Sequence, residues 1–164
     1  MSDHPPVEDP VIAGGYALVG SASIEAPATF YQPGDNPFLP IVAPDGRGTV
    51  HGLDFGSGRL YLVEIIHSEP GTIRGNHVHR RCTEIFTVLA GELSLYLPCA
   101  GPGASLAEGL LERRVTAGTT VVIPPGVPHT VYARTSSDSI AVFRDGDPRD
   151  DRDRVTLLEF PDSG

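Results

Sequence analysis

From residue 60 onward the chain is a run of short apolar segments, each closed by glycine, proline or a polar turn. Leu60–Ile66, Ile85–Leu89, Leu93–Leu97, Leu110–Val115, Thr119–Ile123, Thr130–Ala133 and Ile140–Phe143 are too short for ordinary helices, and no long 3.6-residue apolar period links them. Thr49–Phe55 and Val155–Phe160 read as further strands at either end. Ala90-Gly91-Glu92 joins two of the runs as a hairpin, with the glycine where a tight turn needs positive φ. Many short strands at regular spacing predict an all-β single domain, a sandwich or a closed barrel. The 19 glycines and 16 prolines suit that architecture.

Before residue 46 the pattern weakens. Residues 1–45 are rich in Pro, Gly and Ala, with possible short strands at Val11-Ile12 and Tyr16–Val19 and a loop at Tyr31–Pro37. We expect an N-terminal arm that adds edge strands, within the chain or to a partner subunit, and a β-barrel domain over 46–164. Pro98–Gly109 reads as a loop, with a helical turn near Ser105–Glu108. Asp145–Arg154, where Asp and Arg alternate, reads as a solvated loop.

Charge and composition exclude several functions. The net charge is −9, which argues against non-specific binding to nucleic acid or anionic membrane. All 12 basic residues are arginine, so no lysine is present for Schiff-base chemistry. Cys82 and Cys99 do not make a disulfide framework; Cys82 reads as a buried free thiol. No membrane-length apolar segment or leader pattern appears, and a soluble cytoplasmic protein is expected.

One segment carries chemistry. His77 and His79 stand two apart, which on a strand turns both imidazoles to one face. A bulge between Arg80 and Thr83 would return Glu84 to that face. Far downstream, Pro124-Pro125-Gly126-Val127-Pro128 aims a third histidine, His129, from a stiff turn. Three imidazoles and a carboxylate suit one divalent transition metal, such as Fe, Mn, Ni or Zn.

These residues resemble a known family. His77-x-His79-x4-Glu84-x6-Gly91 is similar to the first cupin motif, and Gly118-x5-Pro124-x-Gly126-x2-His129 to the second. Ala133 departs from the usual asparagine, at a position that is not a ligand. The resemblance implies a double-stranded β-helix, or jelly-roll barrel, with a metal inside held by His77, His79, Glu84 and His129, and often a homodimer. Arg74-Gly75-Asn76-His77-Val78-His79 further resembles the flank of cupin sugar-nucleotide isomerases and epimerases. In the 3,4-ketoisomerase branch the paired histidines work as acid/base groups without a metal. The RGNHxHxxxxE run is nearer to a metal-binding branch, the C-terminal cupin of a capsule-sugar reductase/epimerase.

The resemblance implies isomerase or epimerase chemistry on a keto-sugar nucleotide or similar hydroxy-carbonyl compound. An Fe(II)-dependent dioxygenase and a non-catalytic small-ligand-binding cupin are the alternatives. A pyrophosphate wants bidentate arginine, from Arg74 and Arg59, with Arg47 third. Tyr61, His67 and Tyr132 are candidate acid/base groups. Glu64 is a fourth, on the opposite strand parity from Tyr61 and His67, so only one of these sets can face a cavity. Tyr61 and His67 are polar breaks in one otherwise apolar face, but the pattern alone does not choose between the two sets.

Overall fold

The computed structural model describes residues 9–19, 25–45, 48–99, 106 and 109–160, with side chains 42–50 left aside. Its strands are β1 (Val11–Ile12), β2 (Thr29–Tyr31), β3 (Ile41–Asp45), β4 (Gly48–His51), β5 (Leu60–Ser68), β6 (Ile73–His79) and β7 (Thr83–Ala90), followed by β8 (Glu92–Pro98), β9 (Leu110–Thr116), β10 (Thr120–Ile123), β11 (His129–Ala133), β12 (Ser137–Arg144), β13 (Arg152–Arg154) and β14 (Leu158–Glu159). Two five-stranded sheets dominate, in the orders β2-β10-β7-β12-β5 and β13-β6-β11-β8-β9, and every ladder in them is antiparallel. This is the expected all-β jelly roll. The helical turn expected near Ser105–Glu108 falls almost wholly outside the described residues.

The core lies between the sheets because each strand alternates. On β7, Phe86 and Val88 point in; on β8, Leu93, Leu95 and Leu97; on β12, Ala141 and Phe143. A second, smaller cluster forms on the outer side of the β6–β11–β8 sheet. There Tyr96, Tyr132 and Leu158 pack with Ile12 and Ile73 beneath the β1–β14 ribbon. The N-terminal segment thus adds strands within its own chain: β1 to β14, and β2 to the edge of β10.

Gly91 closes the β7–β8 hairpin at φ 82°, as its turn requires; a Cβ there would overlap the Ser136 carbonyl.

Two expectations need correction. The Asp145–Arg154 segment is not merely a solvated loop. Arg152–Arg154 forms β13 on the edge of β6, and Asp151 is buried. Its Asp/Arg alternation is a period-two strand pattern written in charged residues. Val155–Phe160 forms only the two-residue β14, because Val155 and Leu157 turn to meet Asn76 rather than a neighbouring ladder.

Candidate metal centre and cavity

The site is built on β6, β7 and β11. His77 and His79 share the inner face of β6, as their spacing requires, and His129 opens β11 directly opposite His77. The pairing slips by one residue between His129 and Thr130, leaving Asn76 as a bulge. Gly75 precedes it at φ 90°, where a Cβ would lie 2.8 Å from the His129 carbonyl oxygen. Asn76 itself takes φ 53°, and its side chain repays the strain. Its Oδ1 accepts from Thr130 Oγ1 (2.7 Å), Leu157 N–H (2.8 Å) and Leu158 N–H (3.1 Å), and its Nδ2 donates to the Leu158 carbonyl at 2.8 Å.

Between His79 and Glu84 the chain must reverse. Asp151 holds that crossing: its carboxylate accepts the N–H groups of Arg81 (2.7 Å) and Cys82 (2.8 Å) and the Arg81 guanidinium (3.2 Å). Burial pushes the Asp151 carboxyl up, but these donors together outweigh it and hold it at about 2. Cys82 beside it is a free thiol pushed up to about 12 by burial and by Asp151. Cys82, Asp151 and a ring nitrogen of His79 also come within 4.8 Å of one another. That group is a poor cation site, since the thiol stays protonated and the carboxylate is spent on backbone.

At the centre, one donor atom each from His77, His79, Glu84 and His129 lie within 4.8 Å of one another. His79 and His129 are 3% exposed and Glu84 7%. The His77 ring meets those of His79 and His129 edge-on, both at 4.6 Å between centroids. His129 Nδ1 donates to the Val127 carbonyl at 3.0 Å, since a carbonyl only accepts. Its Nε2 then faces Glu84 Oε2 at 3.0 Å, and His79 Nε2 lies 3.6 Å from the same oxygen. These contacts lie outside hydrogen-bond geometry. Nε2 of His77 and His129, both nitrogens of His79 and Oε2 of Glu84 are buried without a hydrogen-bond partner among the described residues.

The electrostatics follow from this crowding. Burial, then the neighbouring His129, lowers His77 to about 4; burial likewise lowers His79. Burial opposes charge on Glu84 and His129 too, but each is outweighed by its partner, so Glu84 is held low and His129 raised. His77 and His79 are thus neutral and Glu84 ionised, the forms that bind metal.

Above the cluster opens a cavity of about 220 Å³, lined by residues of both sheets, among them Glu64, Arg74, Phe86, Val131, Phe143 and Arg152. Arg74 is fixed at its wall, with Nε donating to Ser68 Oγ and Nη2 to the His67 carbonyl, both at 2.8 Å.

Four of the other expected site residues do not reach it. On β5 the inner set is Leu62, Glu64, Ile66 and Ser68, so Tyr61 and His67 point outward and are exposed. His67 instead bonds Asp138 (2.8 Å) and Glu69 (3.3 Å) at the surface, which raises its pKa, Asp138 contributing most. Arg59 lies over the Tyr61 ring at 4.8 Å on that same outer side. Tyr132 alternates with the cavity-lining Val131 and is buried in the outer cluster, under Arg134. Arg47 lies outside the described residues. Sequence reading left Glu64 undecided and missed Arg152, whose strand was hidden in a charge-rich segment.

A family model for the cupins matches residues 54–157. The chain belongs to the cupin family. No curated protein matches this cupin significantly in sequence. Among solved structures it is similar to dTDP-6-deoxy-D-glucose-3,5-epimerase RmlC from Legionella pneumophila in complex with dTDP-4-keto-L-rhamnose. The identity is 17%, the TM-score 0.59, and the match covers 78% of this cupin and 72% of that chain. ChmJ, a 3'-monoepimerase from Streptomyces bikiniensis in complex with dTDP-quinovose, is 17% identical with a TM-score of 0.61, covering 81% and 71%. A 3,4-ketoisomerase from Helicobacter canadensis is 12% identical with a TM-score of 0.60, covering 79% and 92%. At these identities the likeness is one of fold.

Proposed function

We propose that this cupin is a metal-dependent isomerase or epimerase acting on a keto-sugar nucleotide or a similar hydroxy-carbonyl compound. The observation that carries the reading is the set of buried, unpartnered donor atoms on His77, His79, Glu84 and His129 beneath a cavity walled by Arg74. With Nδ1 of His129 committed to a carbonyl, Nε2 facing a carboxylate needs either a proton or a cation between them. A divalent Fe, Mn, Ni or Zn ion fits these four donors, and when bound it would polarise a substrate carbonyl. The chain's own residues then orient the substrate: Arg74, already fixed by Ser68 and the His67 carbonyl, offers its remaining donors to a phosphate. The cavity is below the ~300–1,000 Å³ of pockets that enclose drug-sized ligands, which suits the sugar alone, with the nucleotide outside. The sugar-nucleotide enzymes among the similar folds support this substrate class by analogy.

Residues 46–164 form the catalytic unit in this reading, and the protein works as a cytoplasmic homodimer. The dimer rests on the outer face of β5, where Tyr61, Val63 and Ile65 are exposed, Ile65 to 82%. No helix among the described residues is long and apolar enough to cross a membrane.

Elemental analysis of protein purified without added metal tests the reading, with an oxygen-electrode trace after ferrous reconstitution. Stoichiometric Zn, Mn or Ni and no oxygen uptake is expected. Iron with substrate-dependent oxygen uptake would make the protein an oxygenase, and absence of any bound metal would remove the metal-dependent mechanism.

A further inference from the structure

Isomerisation needs a group that takes a proton from carbon and returns it. Of the carboxylates and imidazoles lining the cavity, Glu84, His77 and His129 belong to the four-residue cluster. Among the described residues, Glu64 alone stands apart. It lies on β5, in the row Phe86–Ala141–Glu64, two strands across the sheet from β7, which carries Glu84. Two strand spacings are roughly 10 Å, room for one sugar ring between the cluster and the Glu64 wall. The Glu64 side chain has no hydrogen bond or ion pair among the described residues, so its carboxylate is uncommitted. The facing sheet offers Arg74 and Arg152 instead. The side chain of Arg152, on β13 beside His79, likewise has no hydrogen bond or ion pair among the described residues. Guanidinium groups bind anions but do not exchange protons near neutral pH.

We propose that Glu64 is the catalytic base, that it works alone from one face of the sugar, and that the reaction is therefore a keto-isomerisation rather than an epimerisation. This deepens the proposed function and rests on it. Glu64 takes the proton from the hydroxyl-bearing carbon beside the ketone. The C–H electron pair forms the carbon–carbon double bond of an enediol as the carbonyl π pair moves to oxygen. Glu64 then delivers the same proton to the former carbonyl carbon. The hydroxyl proton passes from the new carbonyl oxygen to the old one, so the ketone has moved one carbon with no net gain or loss. Inverting a stereocentre would require a second proton donor on the opposite face. Outside the cluster, the described residues of the opposite sheet that line the cavity are Arg74, Arg152, Gly75, Leu93 and Val131, none of which is one.

The test uses the full-length protein with dTDP-4-keto-6-deoxy-D-glucose deuterated at C3. Wild type is expected to form the 3-keto isomer with part of the label transferred to C4. Glu64→Gln is expected to slow this about 100- to 10,000-fold. In that variant dTDP binding by calorimetry and metal content should be unchanged. Because the Glu64 side chain has no partner among the described residues, the Glu64→Gln variant should fold normally; Glu64→Asp, with partial activity, provides a second check. An active wild type matched by Glu64→Gln overturns the role of Glu64. An active wild type that yields an epimer overturns the one-face mechanism. A wild type that neither binds dTDP nor converts the substrate overturns the proposed function, and this inference with it.

Discussion

The Asp151 carboxylate accepts the backbone N–H of Cys82 at 2.8 Å, tying the edge of β13 to the crossing that joins His79 to Glu84. The Arg80 N–H also donates to the Asp151 carbonyl at 3.1 Å. The relative placement of two candidate ligands therefore depends on a residue some seventy positions away.

Asp151→Ala is expected to destabilise the fold by about 3 kcal/mol, because it leaves two backbone N–H groups without their acceptor. Urea denaturation measures this. The pH dependence has a definite sign. The folded pKa, about 2, lies below the ordinary carboxylate value of 3.8. Asp151 therefore contributes stability fully above about pH 4, and that contribution is lost as pH falls through about 2. Asp151→Ala should flatten the acid limb of the stability profile between those values.

Asn76→Ala removes three acceptances and one donation at once, and places alanine at φ 53°. A loss of about 2–4 kcal/mol is expected. Thermal melting checks the loss, and limited proteolysis should show earlier cleavage around Val155–Phe160, the segment Asn76 holds.

His77→Ala and His129→Ala should each lower metal content, read by elemental analysis of protein purified side by side with wild type. Unchanged stoichiometry in both would show that the four donors are not the ligands. Metal affinity should weaken on acidification, since a bound ion must displace the proton that Glu84 favours on His129. Below the raised His129 pKa the loss should be about tenfold per pH unit. His77, lowered to about 4, should stay unprotonated until much lower pH.

Arg74→Ala should weaken dTDP-sugar binding by about 10- to 100-fold, since a charge-assisted contact contributes roughly 1.5–3 kcal/mol. Metal content should not change. Calorimetry with dTDP measures the affinity, and equal affinity in the variant would rule out phosphate contact by Arg74.

Ile65→Arg puts a charge on the exposed apolar stripe of β5 without touching the interior. If two copies pack there, the variant should be monomeric in sedimentation while wild type is dimeric. A dimeric variant would place the interface elsewhere.

The four-residue cluster was legible because its geometry is mostly local. A two-residue spacing on a strand gives one face to His77 and His79 whatever else the chain does, and the rigid prolines before His129 leave that strand few directions. Which side of β5 meets the cavity was not legible. On β5 the pattern itself held two opposite readings, and the polar Tyr61 and His67 looked like interruptions of a buried face. Their face is the outer one, and Glu64 belongs to the inner. The placement of Tyr132 was not legible for the same reason: the β1–β14 ribbon covers it from outside, and a buried outer face looks like a core face in sequence.

By itself, the sequence determined the all-β architecture, the two motif segments and the shared face of the paired histidines, because alternation and turn chemistry act over a few residues. Only the tertiary structure decided which side of β5 and β11 meets the cavity, that Arg152 stands beside His79, and that Asp151 and Asn76 brace the site. Those facts depend on which strands become neighbours and on what covers each sheet's outer face, and both are set by contacts between residues far apart in the chain.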